Sequence, residues 1–278
     1  MSDTLVTLPR AGKVSLETQL HDTLPDAFMP HQVPLTVTLD DAAVLGPVLA
    51  AVITACFISS LYIELLIATS VAVLVYHDYR NFLNLGPGGV PSTFRGYLTI
   101  SWLRLFALRD PLSPPPSDPT RSPHHGILFR SLPSRKGPRP KVAGIIPHRQ
   151  LDQRGAKGAC PSLRAALRSL AAAHPDTLAT ARSCFEKHGL GLFARHPVNE
   201  TCRGEILHIH DSDRAMHMNL HPEDIRAVLE GGWGERHPLA RRYMHVNETF
   251  MLIYAPRGMF SLPPPSRVLR AFQLNCVW

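Results

Sequence analysis

Between Ala42 and Tyr76 the sequence carries one charged residue, Glu64. A helix needs about 20 apolar residues to cross the hydrocarbon core of a bilayer, so a run of roughly 35 spans it with residues to spare. The run starts too far from the N-terminus, and is too long, for the apolar core of a cleaved signal peptide. Two crossings would leave about 17 residues each, the lower limit for a span. One tilted helix, about Val48–Tyr76, is the expectation, with Pro47 near its start, where a helix tolerates proline. Glu64 is costly against lipid, so it is expected to face a partner helix or to mark a boundary set wrongly.

The flanks suggest an orientation. Residues 22–41 contain no Lys or Arg but do contain Asp22, Asp26, Asp40 and Asp41, whereas Arg80, Arg95, Arg104 and Arg109 follow the run. The bias of basic residues toward the cytosol therefore predicts a single-pass membrane protein with its C-terminal domain cytosolic. Two glycosylation triplets, Asn199-Glu-Thr and Asn247-Glu-Thr, point to the lumen with less weight, because such triplets are common by chance. The five cysteines are odd in number, far apart and without a CxxC pair. Neither a disulfide framework nor a cysteine zinc site is expected, and a reducing compartment fits them. A net charge of +7 raises the question of nucleic acid. The basic residues are scattered and lack interleaved aromatics, so no nucleic-acid partner is expected.

Residues 1–41 show no sustained periodicity and read as a flexible tail, and 42–76 as the transmembrane segment. A juxtamembrane stretch, 77–110, breaks at Gly86–Pro87–Gly88–Gly89 and resumes as an amphipathic run from Thr93 to Leu108. Trp102, Leu103, Leu105, Phe106 and Leu108 there suit a helix lying at the membrane surface. Residues 111–160, rich in proline and basic side chains, read as an extended linker. The rest predicts an α+β domain of antiparallel strands packed with helices over 161–257. It opens with a helix at 161–173, where Leu163, Ala166, Leu167 and Leu170 form one stripe, and a second helix at about 176–188. Strand-like runs follow. "HPEDIRAVLEGG" has the punctuation of a helix: Pro222 at its first position, Glu223 and Asp224 at its positive end and Gly231 just past its end. A further strand is expected at Thr249–Ala255.

The stretch "EILHIHDSDRAMHMNL" concentrates candidate chemistry. Side chains alternate faces along a strand. With Asp211–Arg214 as a four-residue turn, His210 falls opposite Ala215 and His208 opposite His217. Leu207, Ile209, Met216, Met218 and Leu220 then form a core face, and His208, His210, His217 and Asn219 gather on the other. Three convergent imidazoles suit a divalent metal or a proton acceptor near neutral pH, and equally a hydrogen-bonded polar face. Asp211 and Asp213 read as turn formers. Downstream, "GGWGERHPL" offers a loop that can close over a planar ligand, Trp233 stacking on it and Arg236 holding an enolate or carboxylate. The plainer alternative makes Trp233 a core plug.

Four stretches together carry a resemblance: "DYRNFLNLGPGGVPSTFRGYL", "LPSRKGPRPKVAGIIPHRQ", "GEILHIHDSDRAMHMNLHPEDIRAVLEGGWGERHPLA" and "FMLIYAPRG". From about Tyr76 to Arg257 the chain resembles the fungal luciferase family, which includes relatives in non-luminous fungi. The resemblance implies an oxygenase that adds molecular oxygen to 3-hydroxyhispidin, a styryl-pyranone. The reaction passes through a peroxide that loses carbon dioxide, with light emission. It implies oxygen as co-substrate, no metal or organic cofactor, and a membrane and a small molecule as partners. An enolic hydroxyl must first lose its proton, so the catalytic base is expected among His208, His210 and His217. Arg236 and His237 are candidates for steadying the oxyanion. If a metal is held at all, the same three histidines are its expected ligands. A non-catalytic module binding a lipid or small molecule at the membrane surface is the alternative. Beyond "YAPRG" the family continues as a helix, whereas Pro263–Pro265 in residues 258–278 forbid one here.

Overall fold

The computed structural model describes residues 30–34, 41–57, 60–116, 125–126, 128, 132–155, 158–197, 201–241, 244 and 246–256. Most of the N-terminal tail and the whole of 258–278 lie outside the described residues, as does Asn199. The apolar run is helical on either side of residues 58–59, as α1 (Asp41–Phe57) and α2 (Ser60–Leu83). The described residues of Val48–Tyr76, where one helix is expected, are all helical, and residues 58–59 lie outside the described residues. Among the described residues, helix α2 alone is long and apolar enough to cross a membrane, and its apolar window is unburied. Glu64 is exposed on it together with Leu61, Leu65, Leu66 and Ile67.

The last turns of α2 leave this regime. Phe82 is buried, and Tyr79 and Phe82 pack against Tyr97 of α3 (Phe94–Arg104). Thr93 caps α3 by accepting a hydrogen bond from the Gly96 N–H at 3.3 Å. One face of α3 buries Tyr97 and Ile100, while Phe94, Leu98, Trp102 and Leu105 stay exposed. That division fits the amphipathic run expected beside a membrane.

The globular part is a six-stranded antiparallel sheet. Its strands are β3 (Leu178–Arg182), β4 (Leu190–Ala194), β5 (Glu205–Ile209), β6 (Met216–Asn219), β7 (Gly234–Arg236) and β8 (Phe250–Ile253), in the order β3-β4-β5-β6-β8-β7. The class is α+β, as expected. The second helix expected at about 176–188 is instead strand β3 and the turn after it. Leu178 pairs with Ala194 and Arg182 with Leu190, so cross-strand pairing overrides a weak helical pattern. On one face of the sheet, Leu207, Ile209, Met216, Met218 and Met251 pack with Leu167 and Leu170 of α4 (Ala159–Ala173). Ile225, Val228 and Leu229 of α5 (Pro222–Glu230) complete this core with Trp233. Truncating a fully buried Leu or Ile here to alanine costs about 2–5 kcal/mol.

The proline-rich stretch departs from the tether expected of it, since its described parts are packed on the domain. Glu223 accepts a hydrogen bond from the Gly126 N–H and Asp224 one from the Leu128 N–H. Arg135 donates to the Gln153 side chain, and Arg139 to the carbonyls of Leu229 and Gly234. A two-stranded ladder, β1 (Val142–Ala143) with β2 (Arg149–Gln150), then carries residues 145–150 over the second face of the sheet. The cysteines also depart from expectation. Cys184, after β3, is disulfide-bonded to Cys202, before β5. Distance in sequence hid a pair that the sheet brings together.

Candidate active site

The second face of the sheet carries the site. His208 pairs with His217, Leu207 with Met218 and Ile209 with Met216, and the His210 N–H donates to the Ala215 carbonyl. This is the register expected of the hairpin. His208, His210 and His217 are all buried on the same face, and the aliphatic set is buried in the core on the other. His148, carried by the segment before β2, stacks on His217 with ring centroids 5.4 Å apart, and Phe250 of β8 stacks on the same ring at 5.1 Å.

Each imidazole is fixed by a neighbour. Glu205 accepts from the Nδ1 of His208 at 2.7 Å, and Asp213 from the Nδ1 of His210 at 3.0 Å. Glu205 also accepts from the Ser183 hydroxyl and from the N–H groups of Cys184 and Phe185. Asp213 takes the N–H groups of Gln150 and Ala215, so the expected turn former also orients a histidine. Glu235 accepts from the Nε2 of His148 at 3.2 Å and from the Tyr254 hydroxyl at 2.8 Å.

These acceptors assign the tautomers. With its proton on Nε2, His148 presents a bare Nδ1 to His217, 3.2 Å away, so His217 donates from Nε2 and keeps a lone pair on Nδ1. His208 and His210, protonated at Nδ1, keep lone pairs on Nε2. The His217 Nδ1 lies 2.9 Å from the His210 Nε2 and 3.2 Å from the His208 Nε2. Glu186, from the turn that replaced the expected helix, adds a fourth acceptor. Its Oε1 accepts from Arg149, while its Oε2 is buried, accepts no hydrogen bond, and lies 3.3 Å from the His208 Nε2 and 3.4 Å from the His210 Nε2.

The electrostatics follow from burial and these pairings. Burial lowers the His217 pKa and the neighbouring imidazoles lower it further, leaving it well below the usual histidine value. Burial also lowers His210, against the opposing pull of Glu186 and Asp213. Burial alone would raise Glu186. The charge of Arg149 and the nearby histidines overcome it and hold the carboxylate well below its usual range.

The three hairpin histidines line a cavity of about 600 Å³, together with His148, His237, Phe185, Phe250 and the Gly88–Gly89 turn that follows α2. That volume is ordinary for a small-molecule site. The turn is close-packed: a Cβ on Gly89, whose φ is +68°, would sit 2.5 Å from the Cγ2 of Ile146. His237 reaches the cavity with its Nδ1 accepting from the Leu239 N–H, and burial holds it well below the usual histidine range. Trp233 and Arg236 do not line it. Trp233 is a core residue whose Nε1 donates to the Pro133 carbonyl. Arg236 is buried against the carbonyls of Ser113, Ala240 and Glu248, which take three of its N–H groups and hold the guanidinium outside the cavity lining.

Residues 203–259 match a family model described as a luciferase domain. The chain is 32% identical over 227 residues to a luciferase of Armillaria mellea, covering 71% of this chain and 79% of that protein. A luciferase of Neonothopanus nambi is 31% identical over 211 residues, 66% of this chain and 74% of its own. One of Armillaria gallica is 32% identical over 232 residues, 74% and 84%. The chain belongs to the fungal luciferase family. No solved structure matches it. The matched luciferase domain holds β5 to β8 and so His208, His210, His217 and His237, whereas His148, Arg149 and Glu186 precede it. Sequence reasoning passed over those three because His148 and Arg149 sat in an apparent linker and Glu186 in an apparent helix. Glu205 was hidden too: strand alternation puts it with Leu207 and Ile209, yet its carboxylate reaches the His208 Nδ1.

Proposed function

We propose that the protein is a membrane-anchored, luciferase-like oxygenase that adds molecular oxygen to an enolic small molecule resembling 3-hydroxyhispidin, with no organic cofactor. One observation carries this reading: three imidazole lone pairs of fixed tautomer converge on the wall of a cavity large enough for a two-ring pyranone. An enol oriented there gives its proton to one member of the set, His208, His210 or His217. The resulting imidazolium is matched by the carboxylate behind it, Glu205 for His208 and Asp213 for His210. The enolate is then ready to bond oxygen along the peroxide route implied by the family. The cavity wall supplied by Gly88 and Gly89, directly after α2, suits a substrate that partitions into the bilayer.

Oxygen consumption and light output of the full chain in detergent, given 3-hydroxyhispidin, test the reading. Uptake that falls at least 100-fold in a folded His217→Ala variant is the expected result. Tight binding of the pyranone with no oxygen consumed would instead make the chain a binding module.

A further inference from the structure

The four converging acceptors pose a problem in the buried site. The His217 Nδ1 faces the Nε2 atoms of His210 and His208 at 2.9 and 3.2 Å, the Glu186 Oε2 lies 3.4 and 3.3 Å from the same two nitrogens, and the assigned tautomers place no proton among them. Such an arrangement is repulsive unless something positive sits in its middle. We propose that the three imidazole nitrogens form a binding site for one divalent transition-metal ion, with the Glu186 carboxylate beside it to balance its charge.

Three independent features converge on it. The first is spacing. Donors on a coordination sphere of about 2.1 Å radius stand roughly 3.0 Å apart at octahedral angles and roughly 3.4 Å at tetrahedral ones, and the His217 Nδ1 stands 2.9 and 3.2 Å from the Nε2 atoms of His210 and His208. The second is support behind the ligands. His208 and His210 each give the far ring N–H to a carboxylate, and His217 gives its own to His148, which Glu235 holds in turn. Outer partners of this kind fix the tautomer and raise the basicity of metal-bound imidazole. The third is charge. Glu186, Glu205 and Asp213 are buried around the imidazoles with Arg149 as the cation paired to Glu186, and three negative charges against one positive leave two unmatched. A divalent ion balances them. Three imidazoles beside one carboxylate select zinc, iron, cobalt or manganese over calcium or magnesium, which take oxygen ligands.

The inference rests on donor geometry and bears on the oxygenation reading, since an ion and an enol proton compete for the same lone pairs. In the loaded protein the ion occupies the lone pairs otherwise open to the enol proton, and a substrate oxygen reaching the cavity wall meets a cation instead.

Titration of metal-stripped full chain in detergent with Co²⁺, followed by visible absorption and by elemental analysis after gel filtration, tests the site. The expected result is one equivalent per chain, a d–d spectrum of nitrogen and oxygen ligation, and a higher unfolding temperature with metal than with chelator. Glu186→Gln and His210→Ala, shown folded by circular dichroism, are each expected to weaken binding 10–100-fold or more. His125→Ala, at an exposed histidine remote from the cluster, is expected to leave it unchanged. A folded wild type that retains no Co²⁺, or variants at Glu186 and His210 that bind as wild type does, overturns the proposal and leaves a shared proton at the centre.

Discussion

A tryptophan beside the candidate site illustrates how residue type misleads without a position. Trp233 sits in a glycine-flanked loop, where an aromatic ring suggests a stacking platform, yet its ring fills the core under α5 and its Nε1 donates to Pro133. Trp233→Phe removes that hydrogen bond and leaves the Pro133 carbonyl short of a donor, at a cost of about 1–2 kcal/mol. Chemical denaturation should show this loss while the KM for any turned-over pyranone stays within twofold. An increase of KM by tenfold at unchanged stability would restore the stacking role. Arg236 follows the same logic, its guanidinium already taken by three backbone carbonyls. The three hairpin histidines were legible because alternation and turn length alone fix which of them share a face. Glu186, His148 and Arg149 were not, because nothing local in the sequence states which distant segment covers that face.

At the level of elements, the sheet's centre was readable and its periphery was not. Strands β5 and β6 alternate cleanly, and α5 carries its caps in its own sequence: His221 accepts from the Glu223 N–H, and Pro222 follows at the first position. The left-handed residue after α5 falls at Gly232, with φ +75°, one place beyond the Gly231 expected to end the helix. Strand β3 has no such signature. Its identity depends on pairing with β4, a non-local interaction that short-range propensity cannot see. The disulfide is non-local in the same sense. It ties the turn after β3 to the start of β5 across 18 residues, next to Glu205, which accepts from the Cys184 N–H. Closing a loop of that length stabilises a fold by about 3 kcal/mol. The double variant Cys184→Ser/Cys202→Ser should therefore unfold at a distinctly lower denaturant concentration than the wild type. Reductant should lower the wild-type midpoint to match it. A midpoint indifferent to both treatments would mean the two thiols are unpaired in solution.

The whole molecule joins a helix fit to span a membrane to a domain whose cavity begins at that helix's exit. Tyr79 and Phe82, in the last turns of α2, pack into the same cluster as Ile145 and Phe250, so α2 and the site share a wall. Two signals disagree about which side of the bilayer this arrangement faces. The arginines after α2 favour the cytosol. The Cys184–Cys202 bond favours an oxidising compartment, since cytosolic thiols are kept reduced, and Asn247-Glu-Thr is consistent with that side. Basic flanks bias insertion statistically, whereas a disulfide persists only where thiols are not kept reduced, so the bond carries more weight. The domain is therefore expected in the lumen. In sealed microsomes from cells expressing the full chain, added protease should spare it until detergent opens the vesicles. Thiol labelling before reduction should also leave Cys184 and Cys202 unmodified. Digestion without detergent, with both cysteines labelled, would place the domain in the cytosol and make the arginine flank the deciding signal.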